Sequence, residues 1–273
     1  NEGAFRCVNV IAPEGTIINA HEGAATTMCT VFFAHEIIHA VWKALAQADP
    51  DRGCAGWAKN VFGISVGKEE SGHPYVFYHG AAAAGSGAVD GRDGFNQIGH
   101  VCTLGGLTMP NVEVYEQLYP VMFHRQEFRI DAAGAGKYRG GSGCDYEVDI
   151  LTPAVHSFRG EGLNYETGYG INGGGDGACG NMHLRHRNGE TEDAPKYGLR
   201  RTDNVRFVTQ SPGGGGYGPA LERAPEHVLR DWRDEIISEA TMHDVYGVVA
   251  AKDGKSVDAD ATATLRGTMI AAE

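Results

Sequence analysis

The chain has 273 residues, of which 40 are glycine, about twice the share in an average protein. With 42% apolar and 21% charged residues it is not a disordered chain, and its glycines lack the three-residue period of collagen. Asp and Glu (35) outnumber Lys and Arg (23), so the net charge of −12, with no basic run to offset it, excludes a general nucleic-acid binder.

No stretch approaches 18 consecutive apolar residues, so no transmembrane helix is expected, and no signal-peptide pattern is found. The six cysteines, Cys7, Cys29, Cys54, Cys102, Cys144 and Cys179, form no CxxC pair and read as scattered reduced thiols of a cytoplasmic protein. The chain opens at Asn1, without an initiator Met, and runs straight into strand-like V-N-V-I. It is therefore expected to be the downstream part of a longer polypeptide.

In chain order, residues 5–12 alternate weakly and end at the turn signal Pro13-Glu14-Gly15. Residues 26–48 read as the one long helix, with Met28, Val31, Phe32, His35, His39 and Trp42 on one face, ended by Asp49-Pro50-Asp51. Residues 60–110 are rich in glycine and small residues, with strand-like V-F-G-I-S-V and Y-V-F-Y. A short helical turn is expected over 112–118 and an extended segment over 121–130. The cleanest strand is 145–151, where Tyr146, Val148 and Ile150 alternate with Asp145, Glu147 and Asp149. Another strand is expected at 204–209.

The last 55 residues differ in character. Pro225 opens a helix carrying Val228, Leu229, Trp232 and Ile236. Ser238 caps a second helix ending at Tyr246-Gly247. Val248–Ala251, the turn Asp253-Gly254 and Lys255–Val257 read as a small hairpin, and Asp258 caps a last helix ending near Gly267. The expectation is an α+β fold with β-rich antiparallel sheets, one long helix near the N-terminus and a short helical C-terminal segment. It divides into a β-rich core region, 1–210, with helix 26–48, and a glycine loop with a helical region, 211–273. The glycine content predicts many turns and loops needing positive φ.

His35-Glu36-Ile37-Ile38-His39 is an HExxH, which puts two imidazoles one helical turn apart, as zinc ligation requires. The extended form HExxHxxGxxH fails, because Trp42 and Leu45 stand where Gly and His should be. Both histidines sit on the apolar face, so they read as packed core residues rather than metal ligands. Gly168–Gly173 matches GxGxxG, but more glycines follow where a dinucleotide site needs a helix. The pattern GxxxxGK[ST] is absent, so this segment carries no ATP signature.

Gly173–Gly175 and the cluster Gly213, Gly214, Gly215 and Gly216 could form anion-binding nests, the latter a candidate cofactor-binding site. The plainer reading is a tight turn or close backbone packing. Charged residues gather around Glu113, Glu116, Asp131, Lys137, Tyr138 and Arg139. Of these, Glu113, Asp131 and Arg139 are candidate catalytic residues, against the plainer reading of a solvated face or salt-bridge network.

Several segments occur in a telling order: N-E-G-A-F-R at 1–6, I-A-P-E-G-T at 11–16, A-L-A-Q-A-D-P at 44–50, G-R-D-G at 91–94 and N-V-E-V-Y-E-Q-L-Y-P at 111–120. There follow D-A-A-G-A-G-K-Y-R-G-G-S-G at 131–143, S-P-G-G-G-G-Y-G-P-A-L-E-R-A-P-E-H-V at 211–228, V-Y-G-V-V at 245–249 and V-D-A-D-A-T-A-T-L-R at 257–266. Together they resemble the hydantoinase B family, which includes the C-terminal part of 5-oxoprolinase and the alpha subunit of acetone carboxylase. Only the C-terminal half of such a subunit is matched.

The resemblance implies an ATP-dependent, multi-subunit enzyme that carboxylates a ketone or opens a cyclic amide. It implies ATP in a hydantoinase A-type partner subunit with an actin-like nucleotide fold. It also implies a divalent metal held outside this segment, in the N-terminal half of the same subunit. That half carries a G-G-T-H-x-P-D type motif, absent here. His35 and His39 depart from the family pattern. The segment T-M-P-N-V-E-V-Y-E-Q-L-Y-P looks nearer the ketone carboxylase branch, acetophenone carboxylase included, with the cyclic amide hydrolase and a non-catalytic scaffold as alternatives.

Overall fold

The computed structural model describes Gly3, Arg6 and residues 8–26, 33–101 and 109–271. It is an α+β fold. Among the described residues, nine strands form two antiparallel sheets. The first contains β1 (Val61–Lys68), β2 (Pro74–Tyr78), β5 (Ala154–Gly160) and β8 (Tyr197–Thr202), in the order β2-β1-β5-β8. The second contains β3 (Val121–Phe128), β4 (Cys144–Ile150), β6 (Asn181–His186), β7 (Thr191–Asp193) and β9 (Val205–Gln210), in the order β3-β4-β9-β6-β7.

The sheets share one apolar cluster. Tyr75, Phe77 and Phe158 from the first meet Tyr146, Val148, Ile150, Leu184 and Phe207 from the second. The alternation read in 145–151 holds: Tyr146, Val148 and Ile150 point into the core. Asp145 and Asp149 on the other face pair with Arg125 at 3.0 Å and Arg206 at 2.6 Å. The outer face of the four-stranded sheet is different. Val66 lies in register with Val76 and Val155, and Val66, Val76 and Leu199 are exposed.

Helix α1 spans Ala34–Ala48. Met28, Val31 and Phe32, assigned to the same helix from sequence, lie outside the described residues, as do Cys7, Cys29 and residues 102–108 of the 60–110 stretch, Cys102 included. Helix α2 is Val112–Leu118, with Asn111 capping the Val114 N–H at 3.1 Å. Residues 8–12 form no strand, and the C-terminal hairpin is reduced to a single bridge, Ala250 to Val257. Helix α3 (Pro225–Arg233), α4 (Glu239–Asp244, capped by Ser238) and α5 (Ala259–Ile270, capped by Asp258) pack around Val228, Leu229, Ile236, Ile237, Met242 and Tyr246. Ile236 belongs to the turn after α3, where Glu235 takes a φ of 56°, and α5 runs past Gly267, whose exposed position leaves room to continue. No described helix is long and apolar enough to cross a membrane.

Between sheets and C-terminal helices lies a body without regular secondary structure. Extended segments from 53–58, 81–99, 132–143, 167–180 and 211–218 run side by side, joined by backbone hydrogen bonds. Gly134 N–H donates to Gly214, Gly214 to Gly141, Gly215 to Gly56 and Gly216 to Gly175, each at 2.9 Å. Close approach, not positive φ, dictates these glycines. None of Gly213–Gly216 lies in the left-handed region, yet a Cβ on any of them would collide with the backbone of Ala132, Ser86, Tyr169 or Ala135.

Candidate functional site

Three of the sequence segments converge on one buried ion network. Arg223 grips Asp93 with both terminal nitrogens, at 2.7 and 2.8 Å, and reaches Asp231 of α3 at 2.7 Å. Arg139 faces the other oxygen of Asp231 at 3.1 Å, and its backbone N–H donates to Asp93 at 2.9 Å. Arg223 and Asp231 are fully enclosed. Burial pushes the Asp93 carboxyl up, but the Arg223 hydrogen bond and charge outweigh it, so Asp93 titrates below its ordinary range. Two arginines against two aspartates leave the cluster neutral. It ties G-R-D-G, K-Y-R-G-G and L-E-R-A-P to the C-terminal helices.

Arg139 is thus committed to holding segments together. Asp131 has a similar task. In a left-handed conformation (φ 58°) it accepts the Ser238 N–H at 2.8 Å, and its own N–H donates to the Ile236 carbonyl. Glu113 lies exposed in the first turn of α2, where a carboxylate complements the helix dipole, and has no hydrogen-bond or ion-pair partner among the described residues. No hydrogen bond or ion pair joins Glu113, Asp131 and Arg139 to one another. The anion-nest expectation for Gly213–Gly216 fails, because all four N–H groups already donate within the chain, Gly213 to Ala178 and the others as given above.

Both histidines of the HExxH are buried on α1. The Trp57 N–H donates to His39 Nε2 at 3.2 Å, and His35 Nε2 lies 3.1 Å from the Trp57 carbonyl and 3.0 Å from His39 Nε2. His39 must therefore accept at Nε2, while His35 donates there. A zinc ion would need both lone pairs. Burial lowers the His35 pKa to about 4 and the His39 pKa to about 3, so both rings are neutral. Glu36, the base of a protease reading, is ion-paired with Lys59. Among the described residues no group of three His, Cys, Asp or Glu side chains could hold a metal ion. This part of the chain does not fit a metal centre.

A second polar chain escaped the sequence reading. It crosses the core as Tyr146 OH, His79, Ser65, His156 and Thr202. Ser65 Oγ is 2.8 Å from His79 Nε2 and 2.9 Å from His156 Nδ1. His79 Nδ1 meets Tyr146 OH at 3.2 Å and His156 Nε2 meets Thr202 Oγ1 at 2.8 Å. Burial holds His79 well below its ordinary pKa and His156 at about 4. Two neutral rings and one hydroxyl satisfy each other in line. The alternation of β1 and β5 would have placed Ser65 and His156 inward, but nothing in sequence says that β1 and β5 are neighbours.

Comparison with known proteins follows the same outline. A family model described as hydantoinase B/oxoprolinase matches residues 1–220. The caprolactamase beta chain of Pseudomonas jessenii is 34% identical over 93% of this chain and 45% of that protein. The crystal structure of ATP-dependent caprolactamase from the same organism is similar with a TM-score of 0.81 and 32% identity, covering 98% of this chain and 48% of the other. The B-type subunit of a putative D-/L-hydantoinase from Pseudomonas sp. (strain NS671) is 30% identical over 97% of this chain and 44% of that protein. A nucleotide-free acetone carboxylase structure shares the fold, with a TM-score of 0.63 and 22% identity over 77% of this chain and 33% of the other. The chain spans less than half the length of these relatives.

Proposed function

This chain belongs to the hydantoinase B/oxoprolinase family, and from that premise we propose that it is part of a catalytic subunit of an ATP-dependent, multi-subunit enzyme that hydrolyses a cyclic amide. The carrying observation is the likeness to ATP-dependent caprolactamase over 98% of the chain at 32% identity. An amide carbonyl is a poor electrophile because of its resonance, so coupling ring opening to ATP is chemically apt. On this reading ATP sits in a hydantoinase A-type partner, and a divalent metal sits outside the present segment. The N-terminal half of the same subunit completes the site. The exposed Val66, Val76 and Leu199 on the four-stranded sheet support a further protein layer there. The chain divides into a β-rich core region, 1–210, and a glycine-loop and helical region, 211–273, with two separate apolar clusters in support.

Ketone carboxylation, on acetone or acetophenone, is the second reading. Its support is the 108–120 segment and the fold shared with acetone carboxylase. The lactam reading is favoured because its relatives are more similar and match more of the chain. Within either enzyme, the ties made by Asp131, Arg139 and Gly213–Gly216 favour a scaffold role for this segment, and Glu113 is the one proposed catalytic group left with an unengaged carboxylate.

The test assays the intact complex with ATP and caprolactam, hydantoin or 5-oxoproline, and separately with acetone or acetophenone plus bicarbonate. ADP release coupled to ring opening without bicarbonate is expected. Turnover of ketones alone, dependent on bicarbonate, would overturn the lactam reading. Glu113→Ala lowering turnover in an intact complex would make that carboxylate part of the site; unchanged turnover would leave this segment a scaffold.

A further inference from the structure

A groove of about 670 Å³ lies between α3 and α5 and belongs to none of the networks above. Helix α3 lines it with residues 226, 229, 230 and 233, and α5 with 259, 262, 263 and 266. Each set is a stripe of about two turns on one helix face. The floor is apolar, from Leu229, Val257 and Ala263, and small residues on α5 leave room for a third backbone. The rim is cationic. Arg230, Arg233 and Lys255 are exposed, and their side chains neither hydrogen-bond nor ion-pair with any described residue. With Arg266, four cations face one carboxylate, Glu226, in a chain whose net charge is −12.

We propose that this groove binds an acidic segment with an aliphatic anchor, contributed by the partner subunit of the complex. This rests on the multi-subunit reading above. The shape is that of a helix-in-groove site, with apolar contacts below and charge complementarity at the edges. The groove lies beyond the residues matched by the family model, which end at 220. It falls within the part of the chain shared with the ATP-dependent caprolactamase structure, 98% covered, and with the B-type hydantoinase relative, 97% covered. A surface outside the common core but shared with a relative named as a separate subunit suits a role in association between chains.

The test uses the complex purified with its ATP-binding subunit. Carbodiimide, which couples amines to touching carboxylates, is expected to join Lys255 to an Asp or Glu of that subunit. Arg230→Glu with Arg233→Glu is expected to raise the dissociation constant for the subunit at least tenfold, with circular dichroism and melting like those of the parent. Ala263→Trp, which fills the groove without changing charge, is expected to weaken binding as well. High salt should weaken the parent's binding more than that of the charge-reversed chain. Unchanged affinity in both variants, a Lys255 cross-link to a second copy of this chain, or Lys255 as reactive in the complex as in the free chain would overturn the groove assignment. If the parent chain forms no complex at all, the multi-subunit reading falls, and the groove's partner falls with it.

Discussion

Arg223 shows how one side chain can carry the meaning of a motif. Its guanidinium meets two carboxylates from distant parts of the chain, and its carbonyl accepts from Arg266 at 2.8 Å. Removing the cation leaves Asp231 buried with Arg139 as its one remaining cation and strips half-buried Asp93 of its two-pronged partner, and breaking such a pair costs about 3–5 kcal/mol. Arg223→Met is therefore expected to lower the unfolding free energy by roughly that amount in urea melts. Loss of activity in this variant should track loss of folded protein, which separates a structural arginine from a catalytic one. A result within about 0.5 kcal/mol of the parent, as for an ordinary surface change, would show that the network is not needed.

Among elements, the glycine segments and the helices make opposite demands on a methyl group. Gly214 has backbone from Ser86 where a Cβ would stand, whereas Gly267, exposed in the last turn of α5, has open space. Gly214→Ala is expected to abolish or severely destabilise folding, and Gly267→Ala to stabilise by about 0.5–1 kcal/mol, the usual helix preference for alanine. Thermal melts of the two variants check both signs. The same contrast explains what could be read in advance. Helices α2, α4 and α5 carry their own capping residues, α3 opens on Pro225, and β4 carries strict alternation, so local pattern sufficed. Strands β5 and β8 are hard to read because their inward residues include histidine, glycine and threonine, which local apolar patterning does not mark, and β6 offers only Met182 and Leu184 as an apolar pair. The glycines were visible as a cluster, but their purpose was not. Packing backbone against backbone depends on segments far apart in the chain, such as those of Gly56 and Gly215. In sequence Asp131 and Arg139 stand out as charges beside glycine loops, and only the fold shows them engaged with Ser238 and Asp231.

For the whole molecule, five buried histidines set the response to acid. Burial lowers His35, His100 and His156 to about 4, His39 to about 3 and His79 well below its ordinary value. Below about pH 6.5 the unfolded chain binds protons that the folded chain refuses, so stability is full above that pH and falls as pH drops toward 4. Urea midpoints are expected to be flat between about pH 7 and 8 and to decline steeply from about 6.5 to 4. A midpoint unchanged down to pH 5 would show that these rings are not held neutral. The extended glycine body has a consequence of a different kind, for the order of events during synthesis. Residues 211–218 sit at its centre, receiving or donating hydrogen bonds to segments that began with Gly56. Until they emerge, the segments ahead of them lack partners for several backbone groups, those of Gly56, Gly85, Gly134 and Gly141 among them. The centre of the body is therefore expected to close late, long after the first strands are available. Truncated or stalled chains ending before Ser211 would expose this body to proteases and to one another, which makes the last quarter of the sequence decisive for whether the first three quarters survive.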